Sequence, residues 1–306
     1  MPNTTAYLIY DVFTDTPFGG NPLAIFTHGE DIASHHMQAI AREMNLSETV
    51  FLFAPTSDHA TAHLRIFMPN GELPFAGHPT IGSIAALADS GLVPDDGRDF
   101  HLTCEAGTII CSFDNDTRIA KAIAPVLPYA VGTAPARAEI AKATGLTDQD
   151  FVNPPINNLW SSGPRFAFAE VKTTDTLHAI DINSSCFTPI GSGQMIDAAL
   201  IVFCLAAYDD NIIHVRSFSP SEGIAEDPAT GSAAVALSGL LHAKGLLPNG
   251  QKRILIHQGM KMGRPSQIML TTIVENETLI EVSIAGAAVR MAEGRFLVPD
   301  EASHPH

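Results

Sequence analysis

The stretch RIFMPNGELPFAGHPTIG (65–82) returns in outline as RSFSPSEGIAEDPATGSA (216–233). Each copy reads Arg-x-Phe-x-Pro, then an acidic residue, then a glycine beside a polar side chain, and then an apolar segment with helical spacing. The two arginines, Arg65 and Arg216, stand about half a chain length apart. A chain that repeats itself at half its length is typical of two similar domains.

Each half of the chain is predicted to be rich in strands, with one apolar helix in its middle. The segments SIAALA (83–88) and AAVAL (233–237) have little polar face, and a helix that is apolar on nearly all sides must be buried. A sheet curled around such a helix buries it better than a flat open sheet. We therefore predict an α+β fold of two similar domains, each a curled, mostly antiparallel sheet or barrel around a central helix.

The domain boundaries follow from the same repeat. We predict a first domain over 1–128 and a second over 129–306, and the C-terminal end of the chain could also belong to the first domain. Residues 125–133 are interpreted as the crossover between the domains. Two helix starts are predicted from local signals: Asp31 caps a helix that runs to about Met44, and the second central helix begins at Ala233.

Composition excludes several classes of function. The net charge of −16 and the sequence pI near 5.1 argue against sequence-independent binding to nucleic acid or an anionic membrane. The N-terminus does not read as a signal peptide, and the longest apolar stretch, 198–208, is too short to span a bilayer. The cysteine spacing shows no CxxC pair, which favours free thiols and a cytoplasmic location.

Histidines do not predict a metal site here, although the sequence contains 13 of them. Neither an HExxH motif nor a cluster of cysteine and histidine with the spacing of a zinc site is present. We predict no bound metal.

The glycine turns of the repeat are the candidate binding elements. In the first turn, Gly77 lets a ligand approach the backbone closely, and His78 is expected to act as a donor or proton carrier that titrates near neutrality. The second turn places Gly231 and Ser232 in the same positions, with Asp227 just ahead. Helix starts attract anions, so two of them at one cleft would bind a small carboxylate.

Glu48 is the candidate base for proton transfer. It lies in NLSET (45–49), where a helix ends and the apolar strand TVFLF (49–53) begins. A carboxylate beside such a strand can be partly desolvated, which suits general acid/base work.

Arg65 and Arg216 have two readings. Each could meet a substrate carboxylate, or each could pair with the acidic residue of its own repeat, Glu72 or Glu226, at the end of a sheet. We favour the structural pairing.

Five blocks of sequence resemble the PhzF-like isomerases of phenazine biosynthesis. They follow one another from near the N-terminus to near the C-terminus, and the resemblance is weak only over about 125–195. The blocks are DVFTDTPFGGNPLAIF (11–26), MQAIAREMNLSETVFL (37–52), RIFMPNGELPFAGHPTIG (65–82), RSFSPSEGIAEDPATGSA (216–233) and QGMKMGRPS (258–266).

The resemblance implies a fold like that of diaminopimelate epimerase and an isomerase that uses no metal or organic cofactor. It implies that Glu48 is the general acid/base and that His78, Asp227 and Ser232 contact the substrate, with the two glycine turns beside them. Members of the family are commonly homodimers, so we expect a homodimer. The expected binding partner is a small carboxylate substrate.

The related amino-acid racemases and epimerases use two cysteines, which would lie close to Ala76 and Ala229. Both positions hold alanine here, so two opposed thiols cannot invert a carbon at this site. The resemblance therefore favours a hydrogen shift carried by one carboxylate.

Two other functions stay open at this point. One is a protein that binds a small carboxylate without catalysis. The other is a hydrolase built from Ser232, His78 and Asp227, although no GxSxG elbow surrounds Ser232.

Overall fold

The structure, a computed structural model, describes residues 3–55, 57, 59–188 and 198–298. The chain forms two compact units: Met1–Pro125 together with Gly286–His306, and Val126–Ala285. These units are sets of residues that pack together, and the domain boundaries proposed above stay a prediction. Residues 299–306 of the predicted second domain lie outside the described residues.

In its described residues the first unit contains two α-helices and eight complete strands. Its elements are β1 (Asn3–Val12), β2 (Asn21–Phe26), α1 (Ser34–Met44), β3 (Glu48–Phe53), β4 (Ala62–Met68), β5 (Gly71–Leu73), α2 (Gly77–Asp89), β6 (Phe100–Cys104), β7 (Gly107–Asp114) and β8 (Ile119–Ile123).

Over its described residues, the second unit contains three α-helices and the remaining strands. Its elements are β9 (Tyr129–Thr133), α3 (Arg137–Thr144), β10 (Asn158–Ser161), β11 (Arg165–Val171), α4 (Thr174–Ala179), β12 (Ala199–Cys204), β13 (Ile212–Ser219), β14 (Ile224–Asp227), α5 (Gly231–Ala243), β15 (Gly250–Gln258), β16 (Ser266–Glu275) and β17 (Thr278–Val298). The last part of β17 belongs to the first unit.

The sheet of the first unit runs β17–β1–β2–β3–β4–β6–β7–β8, with residues 288–298 of β17 pairing with β1. The pairs β2–β3 and β4–β6 are parallel, and the other pairs of this order are antiparallel over the residues that the structure describes. Helix α2 contacts strands from both ends of this order, including β1 and β8. A sheet whose two ends touch one helix must curl around it.

The second unit repeats this plan strand for strand. Its sheet runs β9–β10–β11–β12–β13–β15–β16–β17, and the parallel pairs, β11–β12 and β13–β15, fall at the same places in the order. Helix α5 contacts β9, β10, β11 and β16. The predicted α+β fold, with a curled sheet around a central helix in each half, is confirmed.

The central helices are buried almost all round, as their composition requires. In α2 every residue from Gly77 to Leu87 is buried, and in α5 every residue from Gly231 to Leu241. The approach to the sheet is close, because a side-chain carbon added at Gly82 would lie 2.5 Å from the Leu23 side chain. Glycine at this position thus lets α2 sit against β2.

Several local predictions were wrong. Asp31 does not cap α1: it ends a short 3-10 turn, Gly29–Asp31, and α1 begins at Ser34 after Ala33. Helix α5 begins at Gly231 rather than Ala233. The sequence also missed strand β9, whose residues are mostly exposed and lack a clear apolar alternation, whereas the crossover predicted around 125–133 stays a prediction.

Both repeat arginines pair with the acidic residue of their own motif, so the structural reading is confirmed. Arg65 makes two hydrogen bonds to Glu72, at 2.7 and 2.8 Å. Arg216 does the same to Glu226, at 2.9 and 2.8 Å, and also donates to the carbonyls of Leu177 and Ile180. The Arg216 pair is the more buried of the two.

This difference in burial predicts unequal losses for the same substitution. Arg216→Lys should lower the free energy of unfolding by about 2 kcal/mol. Lysine cannot make the two parallel hydrogen bonds to Glu226 and also donate to the two backbone carbonyls. The matched change Arg65→Lys should cost less than about 1 kcal/mol, since that pair is partly exposed. Urea denaturation of both variants measures this, and equal losses would contradict the assignment.

Candidate functional site

The N-terminal end of α2 places Gly77 and His78 in the interior of the first unit. Gly77 is the first helical residue. Ala76, at the N-cap position before it, has an extended backbone and makes no side-chain hydrogen bond to the helix. The buried hydroxyls nearby bond back to the helix: Thr80 Oγ1 donates to the Ala76 carbonyl at 2.8 Å, and Ser83 Oγ to the Pro79 carbonyl at 2.7 Å. The helix can therefore begin inside the unit, because these buried hydroxyls have hydrogen-bond acceptors in the helix itself.

Glu48 is the first residue of β3, as the sequence predicted for a helix–strand junction. Helix α1 ends at Met44, and Asn45 then takes the left-handed conformation (φ 50°, ψ 37°) that commonly closes a helix. Strand β3 pairs in parallel with β2, with Glu48 opposite Leu23. The Glu48 side chain is 14% exposed, so the carboxylate is largely enclosed and still open to solvent on one side.

The structure brings Glu48 and His78 together, and it adds Asn21. The distance from His78 Nε2 to Glu48 Oε2 is 3.5 Å. On the other side of the ring, Asn21 Nδ2 lies 3.3 Å from His78 Nδ1. When the amide donates to Nδ1, the ring proton resides on Nε2 and faces the Glu48 carboxylate.

Burial lowers the pKa of His78 from 6.5 to about 3. The expectation that His78 titrates near neutrality was therefore wrong, because an imidazolium in this interior would lose its hydration. The close approach of His78 to Glu48 is consequently a contact between a neutral ring and a carboxylate, not an ion pair. A neutral ring can donate one hydrogen bond from Nε2 but cannot serve as a cationic acid at neutral pH.

Asn21 is the residue of this site that the sequence analysis missed. It is fully buried at the start of β2 and follows the glycine pair of the first family block, GGNP. The signal was its place in that block, but the sequence offered no physical reason for it. The reason is the contact with His78, which fixes the ring and its tautomer.

The His78 pKa predicts a pH-dependent stability that His78→Gln should reduce. The folded protein binds the His78 proton only below about pH 3, whereas the unfolded chain binds it near 6.5. Stability therefore falls as the pH drops through this window, and it is unaffected above it. Between pH 7.5 and 5.0 the wild type should lose roughly 2 kcal/mol more than His78→Gln in urea denaturation. Equal losses would show that His78 is not held neutral.

In the second unit, Asp227 ends β14 just ahead of α5. Its Oδ2 accepts a hydrogen bond from Thr230 Oγ1 at 2.5 Å. Gln258, 1% exposed, donates to the Asp227 carbonyl at 2.8 Å and accepts from the Thr230 backbone N–H at 3.1 Å. Gln258 thus fixes the turn between β14 and α5. It is also the first residue of the block QGMKMGRPS (258–266).

Gly231 and Ser232 are the first two residues of α5, so they hold the positions of Gly77 and His78 in the repeat. Ser232 is buried, and its carbonyl accepts a hydrogen bond from Ser162 Oγ at 2.8 Å. The roles assigned to Gly77, Gly231, Asp227 and Ser232 in substrate binding stay predictions.

The cysteines are unsuited to act as nucleophiles. All four are buried free thiols, and burial raises the pKa of Cys104, Cys111 and Cys204. Ala76 is the N-cap residue of α2, and Ala229 precedes Thr230, the N-cap residue of α5.

The described residues contain neither a cluster of metal-ligating side chains nor a helix that could span a membrane. In that part of the chain no group of three or more histidine, cysteine, aspartate or glutamate side chains is placed to hold a metal ion. No described helix has the length and apolar character needed to cross a bilayer.

Comparison of the sequence with known families gives one match over nearly the whole chain. The family described as "Phenazine biosynthesis-like protein" matches residues 10–294. A trans-2,3-dihydro-3-hydroxyanthranilate isomerase of Pseudomonas aeruginosa is 36% identical, over 94% of this chain and 98% of its own. The enzyme of the same name from Pseudomonas fluorescens is 34% identical, over 95% and 99% of the two chains.

Solved structures agree on the fold. A Bacillus anthracis phenazine biosynthesis protein of the PhzF family has a TM-score of 0.83 and 25% identity, and covers 96% of this chain and 99% of its own. A hydroxyproline epimerase of Agrobacterium vitis has a TM-score of 0.66 with 12% identity, over 98% and 95% of the chains. At that identity the likeness concerns the fold alone.

Proposed function

The chain belongs to the phenazine biosynthesis-like protein family and is an isomerase, and we propose that it moves a proton between two carbons of a small carboxylic acid with Glu48 as general acid/base. The observation that carries this proposal is the position of the Glu48 carboxylate, which is largely enclosed and 3.5 Å from a buried neutral imidazole. A carboxylate held in a largely enclosed position can act as general acid/base on a substrate carbon within its reach.

The proposed reaction needs one proton and one electron pair to move. The Glu48 carboxylate takes a proton from a carbon of the substrate, and the electron pair of that C–H bond enters the adjacent unsaturated system. The protonated Glu48 then gives the same proton to a second carbon, where the shifted electron pair forms the new C–H bond. The carboxylate is regenerated, and the product differs from the substrate only in the positions of a hydrogen and a double bond.

His78 is proposed to orient the base and the substrate rather than to exchange protons. Its Nε2–H can donate to the Glu48 carboxylate or to a bound oxygen, while Asn21 holds the ring from behind. The relatives act on trans-2,3-dihydro-3-hydroxyanthranilate by name. We take this acid, a carboxylate on a partly unsaturated ring, as the first compound to test as a substrate.

Replacing the Glu48 carboxylate by an amide should remove turnover and keep binding. Glu48→Gln preserves shape but cannot accept a proton from carbon, so kcat should fall by at least about 10³-fold. The matched control is Glu43→Gln, an exposed residue of α1, which should leave kcat within about twofold, as surface changes usually do. Product formation is followed by proton NMR, and binding of 3-hydroxyanthranilate, the aromatic counterpart of the candidate substrate, by calorimetry.

Full turnover in Glu48→Gln would contradict the proposed mechanism. Loss of binding together with turnover would instead show that Glu48 holds the ligand rather than moves a proton.

Asp227 and Ser232 are proposed to bind the substrate, with the backbone at Gly77 and Gly231 allowing close approach. Ser232→Ala and Asp227→Asn should each raise KM by roughly tenfold, because each removes or weakens one hydrogen bond in which a carboxylate, that of the substrate or of Asp227, is the acceptor. Asp209→Asn, an exposed carboxylate of the same unit, serves as the control. Steady-state kinetics decides the matter, and unchanged KM in both variants would withdraw these residues from the site.

The remaining expectations are proposals of the same kind. The proton shift described above calls for no cofactor or metal, so turnover should survive dialysis against a chelator. We also propose a cytoplasmic homodimer, which light scattering would detect as about twice the 32.5 kDa chain; fractionation of the source cells tests the location. Neither nucleic acid nor a membrane is proposed as a partner, given the net charge of −16.

A further inference from the structure

The loop that joins β1 to β2, residues 13–20, holds an unusual concentration of left-handed backbone. Phe13 (φ 67°), Phe18 (φ 69°) and Gly20 (φ 59°) all lie in this region. Glycine is required at position 20, because an added side-chain carbon would stand 2.3 Å from the Val12 carbonyl oxygen. Bulky residues such as phenylalanine rarely adopt positive φ, and a conformation of this kind persists only where the surroundings impose it.

The surroundings do impose it here. The backbone N–H groups of Phe13 and Thr14 donate to the Ala287 carbonyl, at 2.8 and 3.2 Å. Thr14 Oγ1 donates to the Thr16 carbonyl at 3.0 Å and accepts from the Thr16 N–H at 3.1 Å. The Phe18 N–H donates to Oδ2 of Asp11 at 2.8 Å, and Asp11 is only 3% exposed. The loop is therefore fixed at both ends and in its middle.

This fixed loop presents an aromatic ring to solvent. Phe18 is 74% exposed, the largest exposure of any large apolar residue among those described. An exposed phenylalanine contributes no burial to the fold, and its left-handed backbone opposes folding. The Phe18 ring therefore does not stabilise the fold, although the loop holds its backbone in place. Its exposure points to a contact that the ring makes in function.

The loop leads into Asn21, the residue that contacts the His78 ring. Val12 and Asn21, the residues that flank the loop, are register partners in the β1–β2 ladder. Asn21 contacts the His78 ring at 3.3 Å. Phe18 is three residues from Asn21, so their Cα atoms lie within about 11 Å of each other. All of these residues belong to the first unit.

We infer that Phe18 is a substrate-contacting residue that packs against the ring of the substrate and makes the enzyme prefer unsaturated cyclic carboxylates over linear ones. This inference rests on the proposed function, because the ring must be held where Glu48 can reach its carbon. An aromatic face that packs against an apolar, unsaturated ring gains free energy because both surfaces leave water. The Asp11 carboxylate acts as the positioning group that sets the backbone from which the ring projects.

The test compares Phe18→Ala, Phe18→Tyr and Leu92→Ala with the wild type. Leu92 is the matched control: it is 60% exposed and follows the C-terminal end of α2, and the helix from His78 to that end is about 16 Å long. KM and kcat are measured with trans-2,3-dihydro-3-hydroxyanthranilate, and Kd with 3-hydroxyanthranilate. Melting temperature and light scattering are recorded for each variant.

Phe18→Ala should raise KM and Kd about tenfold with kcat changed by less than about threefold, since the ring binds the substrate and does not move the proton. Phe18→Tyr, which keeps the aromatic face, should restore both constants to within about twofold, and Leu92→Ala should match the wild type. The melting temperature of Phe18→Ala should be unchanged, because the side chain is exposed.

Wild-type constants in Phe18→Ala, with Glu48→Gln inactive, would overturn this inference and leave the proposed function standing. A change in molecular mass on light scattering would also overturn it and assign Phe18 to a contact between chains. A wild type that neither binds nor converts either compound would overturn the proposed ring class and the inference together.

Discussion

The need to bury a helix that is apolar on nearly every side governs the structure of each unit. Residues Gly77–Leu87 of α2 and Gly231–Leu241 of α5 leave no face for solvent. Each sheet accordingly curls until strands from both ends of its order touch the helix. The first turn of α2 then begins inside the unit, where His78 meets the start of β3 at Glu48. The approach of His78 to Glu48 is thus a consequence of how the helix is enclosed.

The repeat in the sequence was enough to predict the architecture and several contacts. It predicted two sheets around two apolar helices, and it paired Arg65 with Glu72 and Arg216 with Glu226. These features are readable because each depends on residues close together in the sequence and is written twice. Glu48 at the junction of α1 and β3 was readable for a similar reason, since a helix end and an apolar strand stand on either side of it.

What the sequence did not predict depends on long-range packing or on short elements. The contact of Asn21 with His78 joins residues far apart in the chain, and the neutral state of His78 is a result of complete enclosure. Strand β10 has only four residues and helix α4 only six, too few for a period to be read. The continuation of β17 to Val298 follows from pairing with β1, which no local pattern indicates.

A neutral imidazole beside a largely enclosed carboxylate suits one-carboxylate proton transfer, and the buried thiols suit no two-base alternative. The most direct measurement is a single turnover, in ordinary water, of trans-2,3-dihydro-3-hydroxyanthranilate deuterated at the carbon that loses its hydrogen. If Glu48 carries the hydron from one carbon to the other, part of the deuterium should appear at the receiving carbon of the product. A product with only solvent hydrogen at that carbon would contradict transfer by a single enclosed carboxylate.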